Sequence, residues 1–251
     1  MKLEKLTSYL DELLDSSSFK DYGPNGLQIE GRKEINTIIT GVSSCVDLFE
    51  AAAAKKADAV IVHHGIFWDG QNAVITKSRK DRIRPLILND ISLFAYHLPL
   101  DAHPEFGNNA GLADVLNLKN LKPFADFKGK SIGFMGEFSE SLSSGDAKNL
   151  IQKKINPDAR FYDFGPQQIR TAAVCSGGAQ SALNEAIEKG ADLYITGEES
   201  EWVYHLAKEE RIHFVSAGHH ATERFGVQLL GEHLADQFNL NVEFVDVFNP
   251  I

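Results

Sequence analysis

The run Val60-Ile61-Val62-His63-His64-Gly65 ends a fully apolar stretch in two adjacent imidazoles and a glycine. In open α/β sheets ligands gather beyond the carboxyl ends of the strands, so two histidines in that place mark where a site would form. Successive side chains of an extended backbone point to opposite faces. The two rings are therefore expected to converge poorly on one ion, and to serve two ions or one ion plus an outer role. Gly65 lets the backbone turn sharply after them. A capped strand end with solvated histidines is the structural alternative.

Two further segments have the same character. Tyr96-His97-Leu98-Pro99-Leu100-Asp101-Ala102-His103-Pro104 follows another apolar stretch and delivers a carboxylate with two histidines nearby. Pro99 is expected to bar a helix, placing Asp101 on a loop, where it could also be an ordinary turn residue. His103 precedes a proline and reads as surface turn. In Ala217-Gly218-His219-His220-Ala221-Thr222-Glu223-Arg224, a helix opening near His219 puts His219 and Glu223 on one face at i and i+4. An imidazole and a carboxylate at that spacing can grip a cation, or simply pair within a helix start.

Of the nine histidines, six (His63, His64, His97, His103, His219 and His220) fall just after expected strands, with Asp101 and Glu223 beside them. His205, His213 and His233 stand apart and read as structural or solvated. Neutral imidazoles with carboxylates suit borderline divalent ions such as Zn, Fe, Mn, Co or Ni. Two bridging carboxylates would let His63, His64, Asp101, His219 and Glu223 hold two ions. Such a pair lowers the pKa of a shared water and clamps the attacking and leaving oxygens of a displacement. His97 lies four residues before Asp101, as His219 does before Glu223, but Pro99 intervenes. His97 is therefore expected to handle protons or to support a ligand from outside the coordination sphere. A buried histidine bonded to backbone is the alternative.

Helical and strand periodicities alternate along the chain. Leu3, Leu6, Leu10, Leu13 and Leu14 mark an N-terminal helix. Strands are expected at 35–42, 59–62, 91–96, 171–174, 192–196 and 212–216. Helices are expected at 48–57, 83–88, from about Asn109, at 182–189, at 202–209 and after Ala221. This order implies layered α/β sheets with largely parallel pairing. The halves resemble one another. A shift of 134 residues lays Ile35, Thr37, Ala52, Lys55, Ala57-Asp58 and Ile61 on identical residues, and His63-His64 on Gly197-Glu198. One strand later, a shift of 122 lays His97 and Asp101 on His219 and Glu223. The expected fold is two similar α/β halves from an internal duplication, with the metal site between them. The polar stretch Asp126–Lys130 is the candidate junction, giving halves 1–126 and 127–251. Whether the C-terminal segment packs back on the first half is left open.

Composition narrows the class. The chain has 251 residues, 43% of them hydrophobic, and a net charge of −10. That charge disfavours nucleic acid as a partner, because it offers no counterion release. The densest basic run, Lys77–Arg82, reads as an exposed helix start. No apolar run approaches the roughly 18 residues of a membrane span, and the first residues lack the pattern of a signal peptide. Cys45 and Cys175 make no disulfide framework and no Cys-x-x-Cys, so packing in a reducing cytoplasm is expected. No Gly-x-x-x-x-Gly-Lys-Ser/Thr loop is present. Ser176-Gly177-Gly178 could form an anion-binding nest or a tight strand-to-helix turn.

Specific motifs accompany these residues: Tyr22-Gly23-Pro24-Asn25-Gly26-Leu27-Gln28, Asp58 through Gly65, Tyr96 through Pro104, and Gly107-Asn108-Asn109-Ala110. Cys175-Ser176-Gly177-Gly178-Ala179, Thr196-Gly197-Glu198 and Gly218 through Arg224 follow in the second half. From about Leu10 to the C-terminus the chain resembles the NIF-three-like, YbgI-type family of dinuclear metal proteins, often labelled GTP cyclohydrolase I type two homolog. The resemblance implies that His63, His64, Asp101, His219 and Glu223 are the ligands of two divalent ions per subunit. It also implies a toroidal homohexamer whose sites face an internal cavity.

Two functional classes are therefore expected. One is a metal-dependent, cyclohydrolase-like hydrolase acting on a small nucleotide-like substrate. The other is a non-catalytic metal-binding protein, such as a regulator, a partner-binding protein or a metal-insertion factor. Fold and ligands do not dictate a substrate. An exchangeable coordination position separates the two classes.

Overall fold

Ile38, Ile39, Val60, Ile61, Val62, Leu93 and Phe94 are all fully buried. Strands this uniformly apolar belong to a sheet covered on both faces, not to one with a wet side. The computed structural model describes residues 1–251. The chain begins with α1 (Leu3–Leu13), β1 (Gly26–Ile29), β2 (Thr37–Ser43), α2 (Val46–Ala54), β3 (Ala59–His64), α3 (Lys77–Leu88) and β4 (Ser92–Ala95). Next come α4 (Leu98–Ala102), α5 (Asn108–Val115), β5 (Lys119–Phe127), β6 (Lys130–Ser143), α6 (Ser144–Lys154), β7 (Arg160–Tyr162) and β8 (Gln168–Cys175). The remainder is α7 (Leu183–Glu188), β9 (Leu193–Thr196), α8 (Glu201–Glu209), β10 (His213–Ser216), α9 (His219–Thr222), α10 (Arg224–Phe238) and β11 (Asn241–Phe244).

These elements form two compact units. Met1–Leu100 and Gly226–Phe248 make the first, and Asp101–Phe225 with Asn249–Ile251 make the second. The C-terminal segment thus belongs largely to the first unit. Asp126–Lys130, the expected junction, is instead the turn of the β5–β6 hairpin within the second unit. Gly129, at φ 88°, supplies the left-handed conformation that this turn needs.

The first unit is a five-stranded sheet in the order β1-β4-β3-β2-β11, parallel except for β1. Leu6 and Leu10 of α1 and Val227, Leu230 and Leu234 of α10 pack with Ile38 and Ile61 on one face. Leu48, Phe49 and Ala52 of α2 and Leu86 of α3 pack with Ile39, Val60 and Val62 on the other. Alternate residues of one strand thus enter opposite cores, as the period of two requires. The second unit repeats this layering on a six-stranded sheet, β5-β6-β8-β9-β10-β7. Leu112, Ile151, Ile169, Val174 and Ile195 form one of its cores. Phe124, Leu183, Tyr194, Val203 and Phe214 form the other.

The two sheets share one internal plan. In each, three parallel strands lie side by side in chain order (β2-β3-β4 and β8-β9-β10), and the last carries an antiparallel partner, β1 or β7. Strand β3 matches β9 with the 134-residue offset, Ala59 standing where Leu193 stands. For β4 and β10 the register gives an offset of 121 and not 122, since Ser92 and His213 occupy equivalent places. His97 therefore corresponds to Gly218. The additional residue before His219 is this glycine, whose φ of 91° turns the chain into α9.

One polar device recurs in both sheets. Asp58 precedes β3, and its Oδ2 accepts from the amides of Asn36 (2.8 Å) and Thr37 (2.9 Å) at the start of β2. Asp192 precedes β9 and accepts from Arg170 and Thr171, both at 2.8 Å. Each carboxylate ties two neighbouring strands together just before their shared ladder begins and satisfies amides that the ladder leaves over. Replacing Asp58 or Asp192 by alanine is expected to lower unfolding free energy by about 2 kcal/mol, since bonds to a charged acceptor are lost. Urea unfolding with an unchanged midpoint in both variants would contradict this role.

Candidate metal centre

At the end of β3, His63 is fully buried, and its Nδ1 donates to the Tyr96 carbonyl at 3.0 Å. A carbonyl only accepts, so that bond puts a proton on Nδ1, and Nε2 is the ring atom that could face an ion. His64 Nδ1 lies 3.0 Å from the Ser43 hydroxyl on β2. Each ring is anchored to a flanking strand, one on β4's side and one on β2's. The expected divergence of neighbouring side chains does not occur, and the ring centroids lie 4.7 Å apart. His97 joins them at 5.0 and 5.6 Å. One nitrogen from each of His63, His64 and His97 lies within 4.8 Å of the others, a group able to hold a metal ion.

His97 is set by the segment that runs into β1. Its Nδ1 lies 2.7 Å from Asp21 Oδ1, and its amide donates to Asn25 Oδ1 at 2.8 Å. Asp21 also accepts from the Tyr22 and Leu98 amides and from Asn25 Nδ2. Burial alone would raise the Asp21 pKa, but the His97 bond and charge and the other donors outweigh it and bring it down to about 2. Gln28 accepts from the Ile66 amide, and a side chain at Gly65 would collide with it at 2.4 Å. The Tyr22–Gln28 motif thus braces His97 and the turn after His64, a role that its composition did not disclose.

Asp101 lies within α4 and not on a loop. Pro99 falls in the first turn, where a missing N–H costs nothing. Asp101 is 5% exposed, and its Oδ1 accepts from Asn108 Nδ2 (2.9 Å) and the Ser176 hydroxyl (2.8 Å). Asn109, fully buried at the start of α5, accepts from the Ser176 amide at 2.8 Å and donates to the Ile132 carbonyl. The Gly177 amide donates to Thr222 Oγ1 at 3.0 Å. With the Ser176 and Gly177 amides committed inside the protein, Ser176-Gly177-Gly178 is a tight turn and not an anion nest.

His219 and Glu223 meet as the i,i+4 spacing implied, Nε2 to Oε1 at 3.1 Å. On its other side, His219 Nδ1 lies 2.6 Å from Glu198 Oε1. Burial would lower the His219 pKa, but the hydrogen bonds and charges of Glu223 and Glu198 overcome it and raise it to about 9. The donor atoms need room. A Cβ on Gly177, already at φ 64°, would stand 2.3 Å from Glu223 Oε1 and 3.2 Å from His219 Nε2. Buried carboxylates beside imidazoles, in space that any side chain at Gly177 would fill, fit a divalent cation.

The remaining histidines fall outside these groups. His103 caps its own turn, its Nδ1 accepting from the Glu105 and Phe106 amides. His213 is buried and clamps the Gly165-Pro166 segment, while His233 pairs with Tyr9 at 2.5 Å.

These α/β units carry, at their strand ends, buried histidine and carboxylate groups that could bind metal ions. The Duf34/NIF3 (NGG1p interacting factor 3) family model matches residues 1–250, and the chain belongs to that family. It is 45% identical to a Haemophilus influenzae protein named GTP cyclohydrolase 1 type 2 homolog, over 100% of this chain and 98% of the relative. A Yersinia pestis relative of the same name is 42% identical over the full length of both chains. The solved structure of the protein ybgI, described as of unknown function, is 40% identical with a TM-score of 0.95 over 100% of both chains. That of TTHA1606 from Thermus thermophilus is 33% identical, with a TM-score of 0.90 over 100% of both chains.

The Asp21–His97 pair makes a prediction about acid stability. A carboxylate whose folded pKa is depressed contributes stability that is present above its unfolded pKa, near 3.8, and is lost as pH falls toward 2. Asp21→Asn should therefore cost roughly 1–2 kcal/mol near neutral pH, after solvent screening. Its deficit relative to the parent should shrink between about pH 4 and 2. Urea unfolding at several pH values measures it, and a pH-independent deficit would refute the pairing.

Proposed function

We propose that the chain is a dinuclear, divalent-metal-dependent hydrolase acting on a small nucleotide-like substrate. Two ions per subunit (Zn, Fe, Mn, Co or Ni) would be held by His63, His64, Asp101, His219 and Glu223. The observation that carries this reading is the way the imidazoles are held. The Nδ1 of His63, His64 and His219 faces Tyr96 O, the Ser43 hydroxyl and Glu198 respectively, the outer bonding that orients metal-ligating histidines. The reading requires ligands from the first and second units to serve the same ions, the two units descending from a duplication. The shared strand plan and the paired Asp58 and Asp192 support that origin.

Bound divalent ions would supply Lewis acidity and lower the pKa of water to near neutrality. The chain's own part is positional. Glu198 holds His219 at Nδ1, and Ser176 and Asn108 hold Asp101 at Oδ1. His97, with Nδ1 committed to Asp21, would accept or release a proton at Nε2. The relatives named GTP cyclohydrolase 1 type 2 homolog support a purine-nucleotide-like substrate. A toroidal homohexamer in the cytoplasm completes the proposal, and light scattering at six chain masses is the outcome that agrees with it.

A second reading, a non-catalytic metal-binding or partner-binding protein, draws on the family's description as an interacting factor. Metal analysis tests what both readings share. Alanine at His63, Asp101, His219 or Glu223 should each lower metal content while leaving the fold intact. Full occupancy in all four variants would overturn the ligand set. A nucleotide screen of metal-loaded protein, with Glu223→Gln as control, separates the readings. Turnover abolished by Glu223→Gln supports the hydrolase, and no turnover with any nucleotide supports the second reading.

A further inference from the structure

The second unit contains a cavity of about 170 Å³ that the proposed chemistry does not use, lined by Tyr162, Glu199, Ser200, Glu201, Val203 and Tyr204. We propose that this cavity binds a small alkylammonium cation, held against the ring faces of Tyr162 and Tyr204 and balanced by Glu201. The two tyrosine rings lie 5.7 Å apart at 88°, so they form perpendicular walls of one corner. Phe164 backs Tyr204 edge-on at 5.2 Å and 90°. Ring faces carry negative electrostatic potential, and a corner of them with a carboxylate at the rim attracts a cation that sheds water easily. An ammonium ion bearing methyl groups has that property, whereas a compact, strongly hydrated ion does not.

The corner is built before any ligand arrives. The Tyr162 hydroxyl donates to Glu199 Oε2 at 2.7 Å, and Arg160 pairs with the other carboxylate oxygen. Burial and then the Glu199 bond and charge raise the Tyr162 pKa and outweigh the Arg160 bond and charge that lower it, so the phenol stays a neutral donor. Gln180 Nε2 donates to the Ser200 hydroxyl at 3.2 Å and fixes the rim. The opposing electrostatic contribution is the N-terminus of α8, which favours anions. Glu201 in its first turn offsets that field, and the positive charge of Arg160 beside Tyr162 is neutralised by its ion pair with Glu199. The volume also limits the ligand, lying below the roughly 300–1,000 Å³ of pockets for drug-sized molecules.

Tetramethylammonium chloride is the probe, with tert-butanol as the neutral near-isostere, titrated at constant ionic strength into the full chain labelled with 3-fluorotyrosine. Saturable ¹⁹F shifts at Tyr162 and Tyr204, with a dissociation constant of order millimolar, are expected for the cation. Tert-butanol should bind at least about tenfold more weakly. Tyr204→Ala, at a side chain 43% exposed and so tolerant of truncation, should weaken binding about tenfold as read at Tyr162. Tyr204→Phe should retain it, and Glu201→Gln should weaken it severalfold. Equal affinity for tert-butanol, no saturable shift, or unchanged binding in both Tyr204→Ala and Glu201→Gln would overturn the assignment. None of these readouts depends on metal content, so this site and the metal centre stand or fall separately.

Discussion

Carboxylates are costly to bury, and the second unit buries two of them, Asp101 at 5% and Glu223 at 2% exposure. Each such group costs several kcal/mol unless donors or charges compensate it. Much of the surrounding structure follows from that requirement. Asp101 takes donors from Asn108 and Ser176, which ties α4 to the start of α5 and the end of β8. Asn109 extends the network to the Ile132 carbonyl in β6. Glu223 takes His219, and His219 in turn takes Glu198. Two buried asparagines at the start of a helix, otherwise a poor use of core space, are explained by this network: Asn108 bonds the carboxylate itself, and Asn109 bonds Ser176, which also donates to that carboxylate.

The first unit solves the converse problem, holding imidazoles so that the nitrogens able to meet an ion are defined. A histidine ring free to rotate or to change tautomer makes a poor ligand. His63 is locked by a backbone carbonyl, His64 has its Nδ1 against a hydroxyl, and His97 is locked by Asp21. Asp21 is itself held by two amides and Asn25. In both units a carboxylate behind an imidazole, Asp21 behind His97 and Glu198 behind His219, sets ring orientation and proton position. Hydrogen bonds and charges from Glu223 and Glu198 on its two sides raise the His219 pKa to about 9.

Gly65 and Gly177 mark where this crowding meets the backbone. A β-carbon at Gly65 would strike the Gln28 amide, and one at Gly177 would strike the Glu223 carboxylate. These two positions are glycine because polar atoms from elsewhere in the chain have already taken the space that a side chain would need.

The sequence by itself determined the alternation of strands and helices, the three parallel strands of each unit, and the positions of the candidate ligands. Apolar runs such as Ala59–Val62 and Leu193–Ile195 admit only a doubly covered sheet, and polar residues at their ends must lie beyond the core. The His219–Glu223 pairing was legible because it is local, set by helical spacing. The long β5–β6 hairpin was not legible, since β6 is largely half-exposed and its mixed residues carry no clear period. Pro99 misled because a proline barred from a helix interior is at ease in its first turn. Likewise, the one-residue difference between His97 and His219 lay in strand register, which spacing along the chain does not report. Only the tertiary structure decided that Asp21 stands behind His97, that Asn108 and Ser176 hold Asp101, and that the Ser176 and Gly177 amides are already taken. Those contacts join segments from 7 to 76 positions apart in the chain. They arise where sheet register and helix packing bring distant backbones together, and periodicity within one segment cannot encode that.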